Sequence, residues 1–134
     1  MSAGELAFID TNVCLYLLSA DAAKADRSEH LINAGGVASV QVLNEFVSVA
    51  RGKLRLDWSQ TREVLDALYA NLDIVAVTAS MHSRAVGIAE RSGVHIYDAA
   101  IIAAAIESGC NRVLTEDLQH GQIIDGVRIE NPYL

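Results

Sequence analysis

The chain has 134 residues, 51% of them hydrophobic and 20% charged, with a formal net charge of -7. That length fits one domain over residues 1–134, able to bury roughly two thirds of its unfolded surface. No apolar run nears the roughly 18 to 20 residues that cross a bilayer, and MSAGEL lacks a basic leader, so the expectation is a soluble, cytoplasmic protein without membrane contact.

In chain order, ELAFID reads as a short buried strand and residues 12–19 as a helix, with Cys14 among its apolar neighbours. Asp21 caps a second helix that ends at Gly35-Gly36. VAS is too short to assign alone, but Ser39 suits the cap of a third helix whose Val42, Phe46 and Val49 form one apolar stripe. Asp57 with Gln60 has the spacing of a capping box, ahead of a helix that turns Val64, Leu65, Leu68 and Leu72 inward. DIVAV is a strand, Thr78 or Ser80 starts a helix, and DAAIIAAAIESG is a helix closed by Gly109. RVLT follows as a strand and GVRIE as a weaker final one. Short apolar strands alternating with helices imply right-handed crossovers: an α/β fold, a three-layer sandwich whose central, mainly parallel sheet is flanked by helices. Cys14 and Cys110 form no C-x-x-C pair and read as small buried side chains, not as a disulfide.

In such sheets ligands gather beyond the carboxyl ends of the strands, so an acid just after a strand is informative. Asp10 follows LAFI, and Asp117 follows RVLT with Glu116 between them. Asp98 opens the Ala/Ile-rich helix, and Glu45 abuts the apolar stripe near its helix start. Each alone has an ordinary explanation: an N-cap for Asp10 or Asp98, a boundary residue for Glu45, a loop aspartate for Asp117. Together they are harder to dismiss. Gathered carboxylates repel one another and are physically sensible chiefly around Mg2+ or Mn2+. Two divalent ions on four carboxylates would also leave only -3 of the net -7 on the remaining protein, which removes the objection that acidity raises to a nucleic-acid partner.

The ordered set FIDTN, LNEF, YDAAIIAAA and LTEDLQHG resembles the PIN-domain ribonucleases, most closely the VapC-like toxins of bacterial toxin-antitoxin pairs, and covers residues 8–134. The resemblance implies a PIN-like fold with Asp10, Glu45, Asp98 and Asp117 as catalytic, metal-binding acids. It makes Thr11, Asn12 and Thr115 supporting polar groups and Glu116 an accessory acid. The TED order leaves Glu116 and Asp117 as rivals for the metal, with Asp117 favoured. It further implies endonucleolytic hydrolysis of RNA with one or two Mg2+ or Mn2+ ions, a cognate antitoxin and a homodimer. The antitoxin is expected to lay a helix on residues 21–33 and 50–56. A paired-ion site, with ions about 3.5 to 4 Å apart, can activate a water and stabilise the departing oxygen.

Substrate contact needs positive charge, and Arg51, Lys53 and Arg55, with Arg62 nearby, are the densest basic group; a solvated helix end accounts for them equally well. Trp58 and Tyr16 could stack on unpaired bases or pack in the core or a subunit interface. His30, His82, His95 and His120 lack zinc-like spacing, and there is no G-x-S-x-G elbow. Asn12 stands where a haloacid-dehalogenase-like phosphatase has its second aspartate, and no lysine follows a late strand as a phosphoacceptor domain requires. The rival of another class is a non-catalytic interaction module whose acidic notch binds a partner's arginine.

Overall fold

The computed structural model describes residues 6–134; residues 1–5, including Glu5 of the expected first strand, lie outside the described residues. Among the described residues one six-stranded sheet runs in the order β3-β2-β1-β4-β6-β5. Its strands are β1 (Ala7–Ile9), β2 (Val37–Ser39), β3 (Asp73–Val75), β4 (Arg112–Leu114), β5 (Ile123–Ile124) and β6 (Val127–Glu130). All neighbours pair parallel except β5, which returns antiparallel on β6. Six helices accompany it: α1 (Thr11–Leu15), α2 (Ala22–Asn33), α3 (Val40–Gly52), α4 (Trp58–Asn71), α5 (Ala79–Ser92) and α6 (Ile96–Glu107). The first four pack among themselves, while α5 lies along α6, which rests on β4 and β6. This is the expected three-layer α/β arrangement.

The helix starts follow from short-range chemistry. Asp21, Ser39 and Thr78 each accept N–H bonds from the first turn of the helix they precede, and Asp57 with Gln60 closes a reciprocal capping box. Two expectations need correction. The helix expected over residues 12–19 breaks after Leu15 into a 3-10 turn at Tyr16–Leu18. The helix expected to open at Asp98 begins two residues earlier, with His95 as its cap, because the His95 ring nitrogen accepts from the Tyr97 N–H and Asp98 falls inside the first turn. β5, two residues long, had no signal of its own.

Gly36 is required where the chain passes from α2 to β2. Its φ is 148°, and a Cβ there would lie 2.8 Å from the Ala7 carbonyl oxygen. The core it seals is aliphatic: Phe8, Ile9, Val42, Phe46, Ile88, Ile102 and Ile129 are fully buried. Cys14 and Cys110 are buried free thiols, as expected. Burial pushes Cys14 up to about 12, which makes it a packing group and not a nucleophile. Among the described residues no helix is long and apolar enough to cross a membrane.

Candidate active site

The sheet order places β1 between β2 and β4, so the chain leaves β1 in one direction and returns on its other side with β4. This is a switch point, where parallel sheets open a crevice at the carboxyl ends of the strands. Ile9 pairs with Leu114, and the Asp10 N–H continues the ladder onto the Leu114 carbonyl at 3.1 Å. The residues that follow the two strands at this edge are therefore Asp10 and Thr11 after one and Thr115, Glu116 and Asp117 after the other.

Asp10 is only 7% exposed. One oxygen of its carboxylate accepts the Thr11 N–H at 2.7 Å and the other the Thr115 hydroxyl at 2.8 Å. Thr115, fully buried, has a hydroxyl oxygen that accepts from the Asn12 side-chain amide at 3.0 Å and from the Asp117 N–H at 3.1 Å. With both acceptor positions taken, its proton is committed to Asp10. Asn12 also donates to Asp117 Oδ2 at 3.1 Å, and its own side-chain oxygen accepts the Glu116 N–H at 3.4 Å. Thr11 donates its hydroxyl to Glu45 Oε2 at 2.8 Å, and Gln41 holds the other Glu45 oxygen at 3.2 Å. Segments distant in sequence are thus joined by neutral donors. Thr11, Asn12, Leu15, Glu45, Ser48, Val49 and Asp117 line a cleft of about 310 Å³.

The electrostatics are those of acids crowded together. Burial pushes Asp10 up to about 6, with the Asp117 and Glu45 charges adding to it against the bonds from Thr11 and Thr115. Asp98, half-buried on the first turn of α6, is also raised, by burial first and by the Asp117 charge second. Asp10, Glu45, Asp98 and Asp117 are therefore linked through their charges. Among the described residues Asp10 has no Lys, Arg or His ion-pair partner, so a buried carboxylate faces only neutral donors and other acids. A hard divalent cation fits that need, and the available donors are all oxygens, as Mg2+ and Mn2+ prefer. Among the described residues no three His, Cys, Asp or Glu side chains lie close enough together to hold a metal ion between them.

Glu116 takes another direction. Its Oε1 accepts the Tyr16 hydroxyl, so the two acids of TED part, with Asp117 on the Asn12 side. Of the basic group, Arg51 is engaged: its guanidinium lies 4.4 Å from the centre of the Trp58 ring and donates to the Leu56 carbonyl at 2.8 Å. Trp58 itself is 53% exposed and is not core. Arg55 and Arg62 are exposed, and Lys53 joins Asn12, Leu15 and Glu116 around a hollow of about 290 Å³ beside the acids. His120 accepts the Asn131 N–H at 2.9 Å. Sequence reasoning missed Gln41, although its i,i+4 spacing to Glu45 was a usable signal, and missed the Tyr16 to Glu116 bond, which no spacing could reveal.

The sequence profile of the PIN domain matches residues 7–124. Among curated proteins none matches the chain closely enough to be called a relative. Solved structures do share its fold. A toxin-antitoxin complex from Klebsiella pneumoniae aligns with TM-score 0.71 at 22% identity over 95% of this chain and 98% of that one. DNA-bound VapBC from Salmonella typhimurium gives 0.71 and 22% over 96% and 98%. VapC20 of Mycobacterium tuberculosis, a sarcin-ricin loop cleaving toxin, gives 0.65 and 18% over 83% and 91%. With the switch-point crevice and its carboxylates in place, the match over residues 7–124 makes this chain a member of the PIN domain family.

Proposed function

We propose that the chain is a Mg2+- or Mn2+-dependent endoribonuclease that hydrolyses RNA phosphodiester bonds in the cytoplasm, acting as a VapC-like toxin held inactive by a cognate antitoxin and working as a homodimer. The observation that carries the reading is Asp10: a carboxylate buried at the switch point, raised by burial and its acidic neighbours and lacking any basic partner among the described residues. Membership of the PIN domain family supports nuclease chemistry, and the likeness to toxin-antitoxin complexes supports the toxin role.

In this reading Asp10, Asp98 and Asp117 hold the first ion, and Glu45 serves a second ion or the attacking water. When bound, a divalent ion supplies charge for the phosphate oxygens and lowers the pKa of a water. The chain's own groups do the rest. Thr115 fixes Asp10 through its committed proton, Asn12 holds Asp117 by its amide, and Thr11 with Gln41 orients Glu45. Lys53 and Arg55, which take part in no ion pair among the described residues, meet the RNA backbone, Arg51 being tied to Trp58.

The test is to incubate the purified protein with structured RNA and Mg2+ or Mn2+, with EDTA and Asp98→Asn as controls. Metal-dependent cleavage lost in both controls is the expected result. Cleavage that persists in either sinks the metal mechanism, and failure to cut any RNA favours an interaction module that receives a partner's arginine.

A further inference from the structure

Asp117 stands on a stretch between β4 and β5 that has no helix or strand over residues 115–122. Such a ligand loses affinity for an ion if the loop must be ordered at the moment of binding, because fixing backbone and side chain costs entropy. The structure holds this loop at both ends from one place. At the near end the Tyr16 hydroxyl donates to Glu116, the residue beside Asp117. The Tyr16 ring stands edge-on to Tyr133 at 4.7 Å between centroids. The Lys24 ammonium donates to the Tyr16 oxygen at 3.2 Å and lies 4.6 Å from the ring centre. Tyr133 in turn is anchored by a hydrogen bond to Ser28, a fully buried serine of α2. At the far end the Asn131 N–H donates to His120, and the Asn131 side chain accepts the Tyr133 N–H at 3.0 Å.

We propose that Tyr16, Glu116 and Tyr133 form a tether that pre-positions Asp117 for a divalent cation, with Glu116 acting as a positioning residue and not as a ligand. The inference deepens the proposed function and rests on it. The Glu116 carboxylate is already engaged by a hydroxyl with an ammonium beyond it, whereas the Asp117 charge repels both Asp10 and Asp98, a repulsion that a cation beside Asp117 would relieve. The tether joins a loop, a 3-10 turn and the segment after β6, so its cost of ordering falls on folding and not on ion binding. Outer partners of this kind tune metal affinity by roughly 10- to 100-fold.

The experiment is a Mn2+ titration of the metal-free full chain, read by the loss of the free-ion paramagnetic resonance signal, with Asp98→Asn as the ligand-loss control. Tyr16→Phe keeps the ring and removes only the donor; it weakens Mn2+ binding about tenfold, and so does Glu116→Ala. Glu116→Gln keeps an acceptor for Tyr16 without the charge and recovers most of the loss seen in Glu116→Ala. In the cleavage assay Tyr16→Phe regains kcat at high Mn2+ with KM for RNA unchanged, a pattern that a general loss of stability does not give. Far-ultraviolet circular dichroism and thermal unfolding in EDTA confirm that each variant is folded. Mn2+ affinity of Tyr16→Phe within about twofold of the parent, well short of the outer-partner effect, overturns the tether. So does a Glu116→Gln as weak as Glu116→Ala, which would make the carboxylate itself a ligand. If the parent chain binds Mn2+ and Tyr16→Phe binds it equally, only the tether fails; if the parent binds none, the metal reading fails and the tether with it.

Discussion

Under the proposed function Asp10 carries opposite consequences for stability and for activity. Its folded-state pKa of about 6 stands above the ordinary 3.8, so the unfolded chain gives up the proton first. Without divalent ions the folded state therefore loses stability as pH rises through the window from about 4 to about 6, and the loss persists above it. The rise is worth roughly 3 kcal/mol at most at 1.36 kcal/mol per tenfold change in proton affinity. Asp10→Asn removes that dependence. Urea denaturation in EDTA should show the parent chain losing ground to Asp10→Asn by up to this amount between about pH 4 and pH 7, while the variant cleaves no RNA; equal pH profiles would mean that Asp10 is not desolvated as its burial implies. Thr115 gives the complementary case. Its hydroxyl serves two N–H donors and Asp10 at once, so Thr115→Val takes a donor from the buried Asp10 carboxylate and an acceptor from the half-buried Asn12 amide and the Asp117 N–H, and should cost about 1 to 3 kcal/mol, with Thr115→Ser recovering most of it.

At the scale of elements, much was legible because the signals are local. A cap and a capping box depend on residues two or three apart, so Asp21, Ser39, Asp57 and Thr78 could be read from the sequence and are found in those roles. The apolar stripe of α3 was legible for the same reason, with Val42 and Phe46 buried and Val49 half-buried. What was hidden depends on how distant segments meet. His95 replaces Asp98 as the cap of α6 because the helix reaches back over Ile96 and Tyr97, and nothing in the Ala/Ile run announces that start. β5 exists only because β6 offers it an edge. Of the candidate site, the four proposed acids stand out in the sequence by their place after strands and at helix starts. Their direction does not, since Glu116 and Asp117 are adjacent in sequence and separate only through Tyr16 and Asn12. Gly36 supplies the test at this scale. A methyl group there meets the Ala7 carbonyl oxygen at 2.8 Å on a backbone with φ of 148°, so Gly36→Ala should destabilise the chain by more than about 1 kcal/mol. Asp57→Ala should cost about 1 kcal/mol through the cap of α4 alone, leaving the proposed RNA cleavage unaffected. Comparing the two in denaturant separates a strand crossing that the sheet requires from a helix end that it tolerates losing.

For the molecule as a whole, a net charge of -7 limits how the proposed RNA substrate could be bound. Phosphates approaching the crevice meet carboxylates first, so without divalent ions the proposed enzyme should have little affinity for RNA, and added Mn2+ should restore it. Beyond the ions, few cations lie near. Arg51 is held over Trp58 and by the Leu56 carbonyl, which makes it part of the α3 to α4 connection; Arg51→Ala should lower thermal stability more than it alters RNA affinity. Lys53 faces the hollow shared with Asn12 and Glu116, and Arg55 is exposed two residues on, at a left-handed φ of 56° that turns the chain toward α4. These two can reach a backbone phosphate without disturbing a hydrogen bond or ion pair that holds the fold. The double variant Lys53→Ala/Arg55→Ala should therefore raise KM severalfold at unchanged kcat. It should also flatten the plot of log affinity against log salt by roughly 0.7 for each phosphate of single-stranded RNA that is no longer neutralised. A double variant with the parent's KM and salt slope would place phosphate binding on another face and leave this basic stretch with a structural role only.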